Sequence, residues 1–571
     1  MKKTSVLLIF FLFQQYIFAQ KEQYYDFIKT WNFIKYYHPD VASGKINADS
    51  LFLVNVKNVS SQDDFNSVTN KLISNLNKKL TTSVPVETSK DILTKNQNFD
   101  WFQKNKKISA ENKDVLNSIY IHRYNFENLP KEKLVSDEKE YSFPKTENLP
   151  LEYRLLILAK IQGVVDYLFP HKYLMDKDFD VFFKNKIDET VKTNSRKDFE
   201  IILAKLVAKM EDSHSLSFYR HLNDKKEIFN ASYFAPFDYQ IVDNYILITK
   251  LIFPEICAKA QINVGDRILS MGEKSISQII KEKSELISAS NTEKLRFTLS
   301  NYPNNLIWND NLQTKTLKIQ SAKDGKTDTK MVEFIDLNDK AMYAVLEKYL
   351  IEKIQKKENH QLIHPDVAYF KTNKTLGFIN NVDDDKIDAK MDSILNSASQ
   401  KKAIVFDMRE YPDWGGFVYH YIYKYFSPAE NYFGKYYKPN LKNIGTFVYK
   451  DYDYFPSIPD KTMHSYKGKV FILVNPETRS ASEWYSMSLQ KIFPQSLTIG
   501  QQTSGGDGDM VKVKLPGNYV LEFTGNGIFY PDNSQTQQIG IRMNKKIKYS
   551  DKAILEERDL EFERILNEIQ K

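Results

Sequence analysis

Phe471-Ile-Leu-Val-Asn-Pro-Glu-Thr-Arg-Ser-Ala-Ser-Glu-Trp484 is the stretch on which the fold turns. Four consecutive apolar residues, Phe471 to Val474, predict a buried strand, and Asn475, Pro476 and Glu477 stop it. From Ser480 a helical pattern begins, with Trp484, Met487 and Ile492 near one face. Ser480 therefore falls at a strand-to-helix turn, where unpaired N–H groups and the positive end of the helix dipole gather. A serine there has two uses. It can cap the helix, or its hydroxyl can attack an acyl carbon while neighbouring N–H donors hold the oxyanion.

Around this stretch the chain reads as a globular protein of several domains. Its 571 residues are 42% hydrophobic, 27% charged and 13% aromatic, which excludes a disordered chain. The 80 basic and 73 acidic residues are interspersed and leave a net charge of +7, without the basic tract that nucleic-acid binding needs. Cys257 is the single cysteine, so no intrachain disulfide forms, and its apolar neighbours predict a small core residue. Lys2 and Lys3, the apolar run 6–13 and Ala19 together read as a secretory signal peptide over residues 1–19, hence export to a periplasm or the medium. That run is too short to span a bilayer, and no later segment is a transmembrane candidate. No metal motif, phosphate loop or dinucleotide fingerprint is present, so no cofactor is expected.

Two helical units follow. An amphipathic helix from Tyr24 stops at Pro39, and a second copy of the idea ends at Pro170, each trailed by an apolar helical segment, around 51–59 and 179–187. His38 and His171, beside those prolines, read as turn residues rather than metal ligands. Residues 78–149, charged and broken by prolines, read as a surface excursion or linker. A periodic helix over 199–210 leads to Glu211-Asp-Ser-His-Ser-Leu-Ser-Phe218, where alternation predicts a strand. His214 sits at that hand-over, and histidine is the natural general base near neutral pH, although His221, His420 and His464 are equally available by composition.

Short strands fill 233–335, with a tight turn at Gly265-Asp266 and a hairpin over 316–334 turning at Asp324-Gly325. A helix over 342–356 leads on. Residues 375–379 and 403–408 read as buried strands flanking a helix over 385–397, a βαβ unit. Arg409 to Gly416 then opens an aromatic helix from Phe417, and a Gly-Gly pair there lets the backbone approach a ligand and donate N–H groups. Strands over 511–515 and 519–524, a loop to 539–541 and a helix over 552–569 complete the chain.

The Ser480-Ala-Ser-Glu483 stretch, with Leu497-Thr-Ile-Gly-Gln-Gln-Thr-Ser-Gly-Gly506 after it, resembles the tail-specific, or C-terminal processing, serine peptidases. The Tyr36-Tyr-His-Pro39 run adds to the likeness. Asp212-Ser-His-Ser215 is similar to the catalytic-histidine segment of the family's tricorn-like branch, which implies His214 as base with Ser213 assisting. Residues 258–273 resemble a PDZ signature, though without a Gly-Leu-Gly-Phe type loop, so capture of peptide ends and a structural role both stay open. Asp407, Arg409, Gly415 and Gly416 match the segment that furnishes half of the family's oxyanion hole, the N–H of Ala481 being the other half.

The resemblance implies a multidomain α+β chain. It comprises an N-terminal helical unit with linker (20–149), a second helical unit carrying the histidine (150–230) and a PDZ-like β domain (231–340). A C-terminal α/β peptidase domain of crotonase-like fold (341–571) follows. Two departures matter. The lysine of the family's serine–lysine dyad is replaced by Gly506, leaving Lys512 and Lys514 on one strand face as the nearest substitutes. Where the tricorn-like branch has a glutamate, this chain has Gln537 and Gln538, which can orient by hydrogen bonding but carry no charge. The expectation is a serine endopeptidase acting on polypeptides, with Ser480, His214, Ser213 and Gln537 as its catalytic set. The alternative is a non-catalytic relative that binds a peptide or apolar ligand.

Overall fold

The computed structural model describes residues 21–60, 62–74, 76, 79–87, 89–128, 141–145, 147–175, 179–426, 432–453 and 465–570. The expected signal segment and residues 129–140 of the expected linker lie outside them. Contacts divide the chain into two units, each assembled from separated stretches: Met1–Asp224 with Tyr436–Lys450 and Asp509–Gly527, and Lys225–Lys435 with Asp451–Gly508 and Ile528–Lys571.

The first unit is mainly helical. A helix over residues 21–37 buries Phe27, Ile28, Trp31 and Phe33 completely. It packs on Leu151–Gly163, whose Ala159 carbonyl accepts the Asn32 Nδ2 amide at 2.9 Å, while Lys29 pairs with Asp166 at 2.7 Å. His38 is a turn residue: its Nδ1 accepts the Asp40 N–H at the start of Pro39–Ala42. The stretch read as a linker is partly folded. It contains the helices Asp100–Gln103 and Ala110–Ile121, and Phe102 and Leu116 are fully buried. The many charges there occupy outer faces and hid the few core positions.

Helix Arg196–Ala208, capped by Ser195, leads to a second departure. Residues 215–221 form a 3-10 helix rather than the expected strand. The Ser215 hydroxyl donates to the Glu522 carbonyl at 2.6 Å and the Ser217 hydroxyl to the Glu522 carboxylate, and these bonds replace a strand ladder. Glu522 belongs to a hairpin of Met510–Leu515 with Tyr519–Thr524. The first residue of its second strand is tied to the helix: the Tyr519 hydroxyl donates to the fully buried Glu200 carboxylate at 2.7 Å and accepts from Arg196 Nε at 2.6 Å.

The second unit holds two larger sheets besides the short antiparallel pair Tyr233–Phe234 with Ile335–Asp336. An antiparallel one runs in the order Phe237–Val242, Tyr245–Leu251, Arg267–Met271, Thr314–Gln320, Thr327–Glu333, with Lys274–Ser275 on the side of the third strand. The expected turn forms at Gly265 (φ +90°), and the Asp266 carboxylate accepts the N–H groups of Asn263 and Ala322 at 2.9 and 2.8 Å. Cys257 is fully buried, and burial pushes its thiol up to about 11.

The other sheet is parallel, in the order Val367–Lys371, Ala403–Asp407, Lys469–Val474, Leu497–Gly500, Lys545–Lys546. Alternate residues Val405, Phe471, Leu473 and Ile499 pack on Phe562 and Ile565 of the last helix, while Phe406 faces Phe370 and Phe493. Both faces are covered, which explains the unbroken apolar run 471–474. The first βαβ strand is Val367–Lys371, not 375–379. Thr375 and Leu376 lie in a 3-10 stretch because the Asp413 carboxylate accepts both of their N–H groups.

The aromatic segment after Gly416 opens as a wide π turn, Phe417–Ile422, before Tyr423–Phe426. The expected final helix is two helices, Asp551–Leu555 and Leu560–Gln570, broken where Glu557 takes φ +52° and Asp559 accepts the Phe562 N–H. No helix of the described residues is long and apolar enough to cross a membrane.

Replacing Tyr519 by Phe removes a donor from buried Glu200 and an acceptor from Arg196. We expect a loss of about 1–3 kcal/mol, read as a melting temperature lowered by about 2–4 °C per kcal/mol and compared with Tyr233→Phe as control.

Candidate active site

Ser480 stands where the strand Lys469–Val474 gives way to the helix Ala481–Ile492. The turn between them is held by two side chains. Asn475 Oδ1 accepts the Glu477 and Thr478 N–H groups at 2.8 and 3.2 Å, and the Thr478 hydroxyl donates to the Met408 carbonyl at 2.9 Å. Ser480 itself adopts φ +50°, ψ −122°, a region that non-glycine residues occupy only under constraint from their surroundings. Its side chain makes no cap bond to the helix, so the plain capping role fails. The hydroxyl instead donates to the Gly508 carbonyl at 3.2 Å, and the Ser480 N–H donates to Gly506 at 3.2 Å. Ser482, by contrast, is fully buried, with its hydroxyl directed at the Glu410 carbonyl. Ala481 is the first residue of the helix, where N–H groups have no intrahelical acceptor.

Gly415 and Gly416 open the helical stretch after Arg409, in the same unit. Gly416 has helical dihedrals, so conformational freedom is not what requires glycine. Space is. A Cβ at 415 would lie 2.7 Å from the Tyr485 hydroxyl, and one at 416 would lie 2.6 Å from the Trp414 indole nitrogen. Ahead of the pair, Asp407 accepts from the Arg409 N–H, from Nε at 2.9 Å and Nη2 at 2.7 Å, and from the Tyr369 hydroxyl at 2.6 Å. Arg409 therefore serves the strand end as an ion-pair partner that holds the Asp407 carboxyl below its ordinary range.

One residue of this unit was quoted in the sequence without a role. Glu483, fully buried three residues beyond Ser480, accepts from the Thr503 hydroxyl at 2.5 Å and from the Gly505 and Gly506 N–H groups at 2.8 and 3.1 Å. The loop that supplies the acceptor for Ser480 N–H is thus clamped to the helix that follows Ser480. Gly505, at φ +64°, leaves no room for a Cβ, which would sit 2.8 Å from the Gln538 carbonyl carbon. Burial pushes the Glu483 carboxyl up to about 7, against the pull of its three donors. Helix Thr292–Ser300 contributes Lys294, whose ammonium donates to the Pro476 carbonyl at 2.9 Å and is lowered by burial to about 8. Gln537 is buried here too, and the Gln538 N–H donates to Gly505 at 2.8 Å.

Ser213 and His214 belong to the first unit, and both are buried. His214 Nδ1 lies 2.8 Å from the Thr524 hydroxyl, which donates to Asp212 Oδ1 at 2.7 Å. Asp212 also accepts the Thr524 N–H at 2.6 Å and the His214 N–H at 3.2 Å. Neither Asp212 nor Thr524 was assigned a role from sequence, since their separation of 312 residues hides the contact. Lys512, the expected alternative base, pairs with Glu522 on the neighbouring strand at 2.7 Å, and its side chain is 58% exposed. An exposed ammonium held by a carboxylate is poorly suited to taking a proton.

Residues 377–547, a stretch that contains Ser480, match the model of Peptidase family S41. Among solved structures, a mutant of CPAF is similar at TM-score 0.51 and 12% identity, over 74% of this chain and 97% of that one, a likeness of fold. A putative peptidase from Parabacteroides merdae gives 0.40 at 12% identity over 74% and 98% of the two chains. The photosystem II D1 C-terminal processing protease gives 0.31 at 13% identity over 69% and 93%. No curated protein matches the chain.

The clamp predicts a pH signature. A carboxyl held above its unfolded value favours the folded state below the usual carboxylate range, and this contribution is lost as pH rises towards about 7. Stability of the wild type should therefore fall across that window in denaturant titrations. Glu483→Gln should lack that slope and be less stable by about 1–3 kcal/mol at the acid end of the window, the difference narrowing as pH rises; an unchanged slope would contradict the assignment.

Proposed function

We propose that the protein is an exported serine endopeptidase in which Ser480 attacks the scissile carbonyl and His214 is the general base and acid. The Ser480 proton passes to the imidazole as the Oγ–C bond forms, and the oxyanion is held by the N–H groups of Ala481 and of the Gly415–Gly416 pair. Collapse of the tetrahedral intermediate breaks the C–N bond, and the imidazolium gives its proton to the leaving amine. A water molecule, deprotonated by the same histidine, then releases the acyl group and restores the serine. Ser213, next to the base, and Gln537 complete the proposed set. Residues 1–19 are the export signal, residues 231–340 form a PDZ-like module and the C-terminal domain is crotonase-like. The substrate is a polypeptide.

The observation that carries this reading is the strained Ser480. Its hydroxyl is not spent on capping, and it lies inside the segment that matches a peptidase family. Backbone strain at a polar residue on a strand-to-helix turn is a common mark of a nucleophile. The choice of His214 over a lysine is supported by Gly506 at the dyad position and by the ion pair that engages Lys512.

A fluorophosphonate probe tests the assignment directly. Wild type should be labelled, Ser480→Ala not at all, and His214→Ala more slowly by at least about 100-fold, with Lys512→Ala near wild type. Labelling that needs Lys512 but not His214 would replace the base; a folded wild type that is never labelled would point to a ligand-binding protein instead. Amino-terminal sequencing of the protein recovered from an exporting host should begin at Gln20, and retention of Met1 would contradict export by signal cleavage.

A further inference from the structure

We propose that Asp212, acting through the Thr524 hydroxyl, is the positioning carboxylate for His214 and fixes which ring nitrogen carries the proton. The inference rests on the Ser480/His214 reading and supplies the charged member that Gln537 cannot.

The direction of each bond follows from the donor inventory. An ionised carboxylate only accepts, whereas a threonine hydroxyl has one hydrogen and two lone pairs. Asp212 Oδ1 and the Thr524 hydroxyl are 2.7 Å apart, so the single hydroxyl hydrogen is directed to the carboxylate. Towards His214 Nδ1, 2.8 Å away, the same oxygen then presents a lone pair, and Nδ1 must be the protonated nitrogen. The neutral ring therefore carries its lone pair on Nε2, the nitrogen that takes the serine proton.

Asp212 and Thr524 are fully buried and His214 is 7% exposed, so water does not compete for these bonds. The carboxylate stands 3.9 Å from Nδ1, too far for a direct hydrogen bond but close enough to favour the imidazolium that forms during reaction. His171, the other imidazole facing this group, is held down to about 4 by burial and stays neutral near pH 7, so it adds no opposing charge. Thr524 is itself fixed, because its N–H donates to Asp212 Oδ2 at 2.6 Å. The arrangement differs from a direct carboxylate–imidazole pair by one inserted hydroxyl.

The test combines probe-labelling rates with nitrogen NMR of the histidine-labelled, full-length protein. In wild type, His214 should show a protonated Nδ1 and an unprotonated Nε2. Thr524→Val keeps the shape but loses the hydroxyl, and should slow labelling about 10- to 100-fold while mixing the two tautomers. Thr524→Ser should restore both, and Asp212→Asn should resemble Thr524→Val. If His214→Ala abolishes labelling but Thr524→Val and Asp212→Asn label at the wild-type rate, the positioning role is overturned and the base assignment stands. If His214→Ala itself labels normally, the underlying reading falls. Should Thr524→Val fail to fold, the wild-type spectrum decides, since an unprotonated Nδ1 overturns the proposal.

Discussion

A buried carboxylate with three donors holds the second unit's chemistry in place. A residue in Ser480's conformation costs about 1–3 kcal/mol, and nothing local to a serine makes that favourable. The surroundings over-determine it. Glu483 binds the Thr503–Gly506 loop, that loop accepts the Ser480 N–H, and Thr478 ties the preceding turn to the neighbouring strand. Each bond is short-range, yet together they leave the backbone at 480 one conformation. The same loop has no room for a Cβ at Gly505, which would lie 2.8 Å from the Gln538 carbonyl carbon.

The first unit solves a different problem. Its histidine needs a rigid mount, but the segment after Asp212 has no sheet of its own. The hairpin formed by residues 510–524 provides one, held by Tyr519 on Glu200 and Arg196, and by Glu522 on Ser215 and Ser217. With those contacts made, Thr524 arrives beside Nδ1. The positioning of one imidazole thus depends on a strand encoded more than 300 residues later.

Much of this was legible because it is local. Four apolar residues followed by Asn-Pro-Glu mark the strand and its end, and Gly265-Asp266 marks a turn by side-chain chemistry alone. The misreadings share a cause. Residues 375–379 are apolar enough for a strand, yet Asp413, far along the chain, captures their N–H groups. Alternation after His214 imitates a strand, but Ser215 and Ser217 are polar because they bind Glu522, not because they face solvent. The charged stretch around Ala110–Ile121 buries only Asn112, Leu116 and Ile119, so composition hid a helix. Asp212 was in view throughout, and its partner was not, because no rule of spacing links residues so distant.

The interleaving of the two units has a consequence for biogenesis. The histidine-bearing body needs residues 436–450 and 509–527 to be complete, so it cannot close while only its amino-terminal two hundred residues have been synthesised. Helices such as Leu151–Gly163 can form early, but the mount for the imidazole waits for the hairpin. A nascent or truncated chain thereby lacks the Thr524 contact to His214 until residues 509–527 have been made. For a hydrolase made among other newly emerging polypeptides, that order of assembly is a built-in delay.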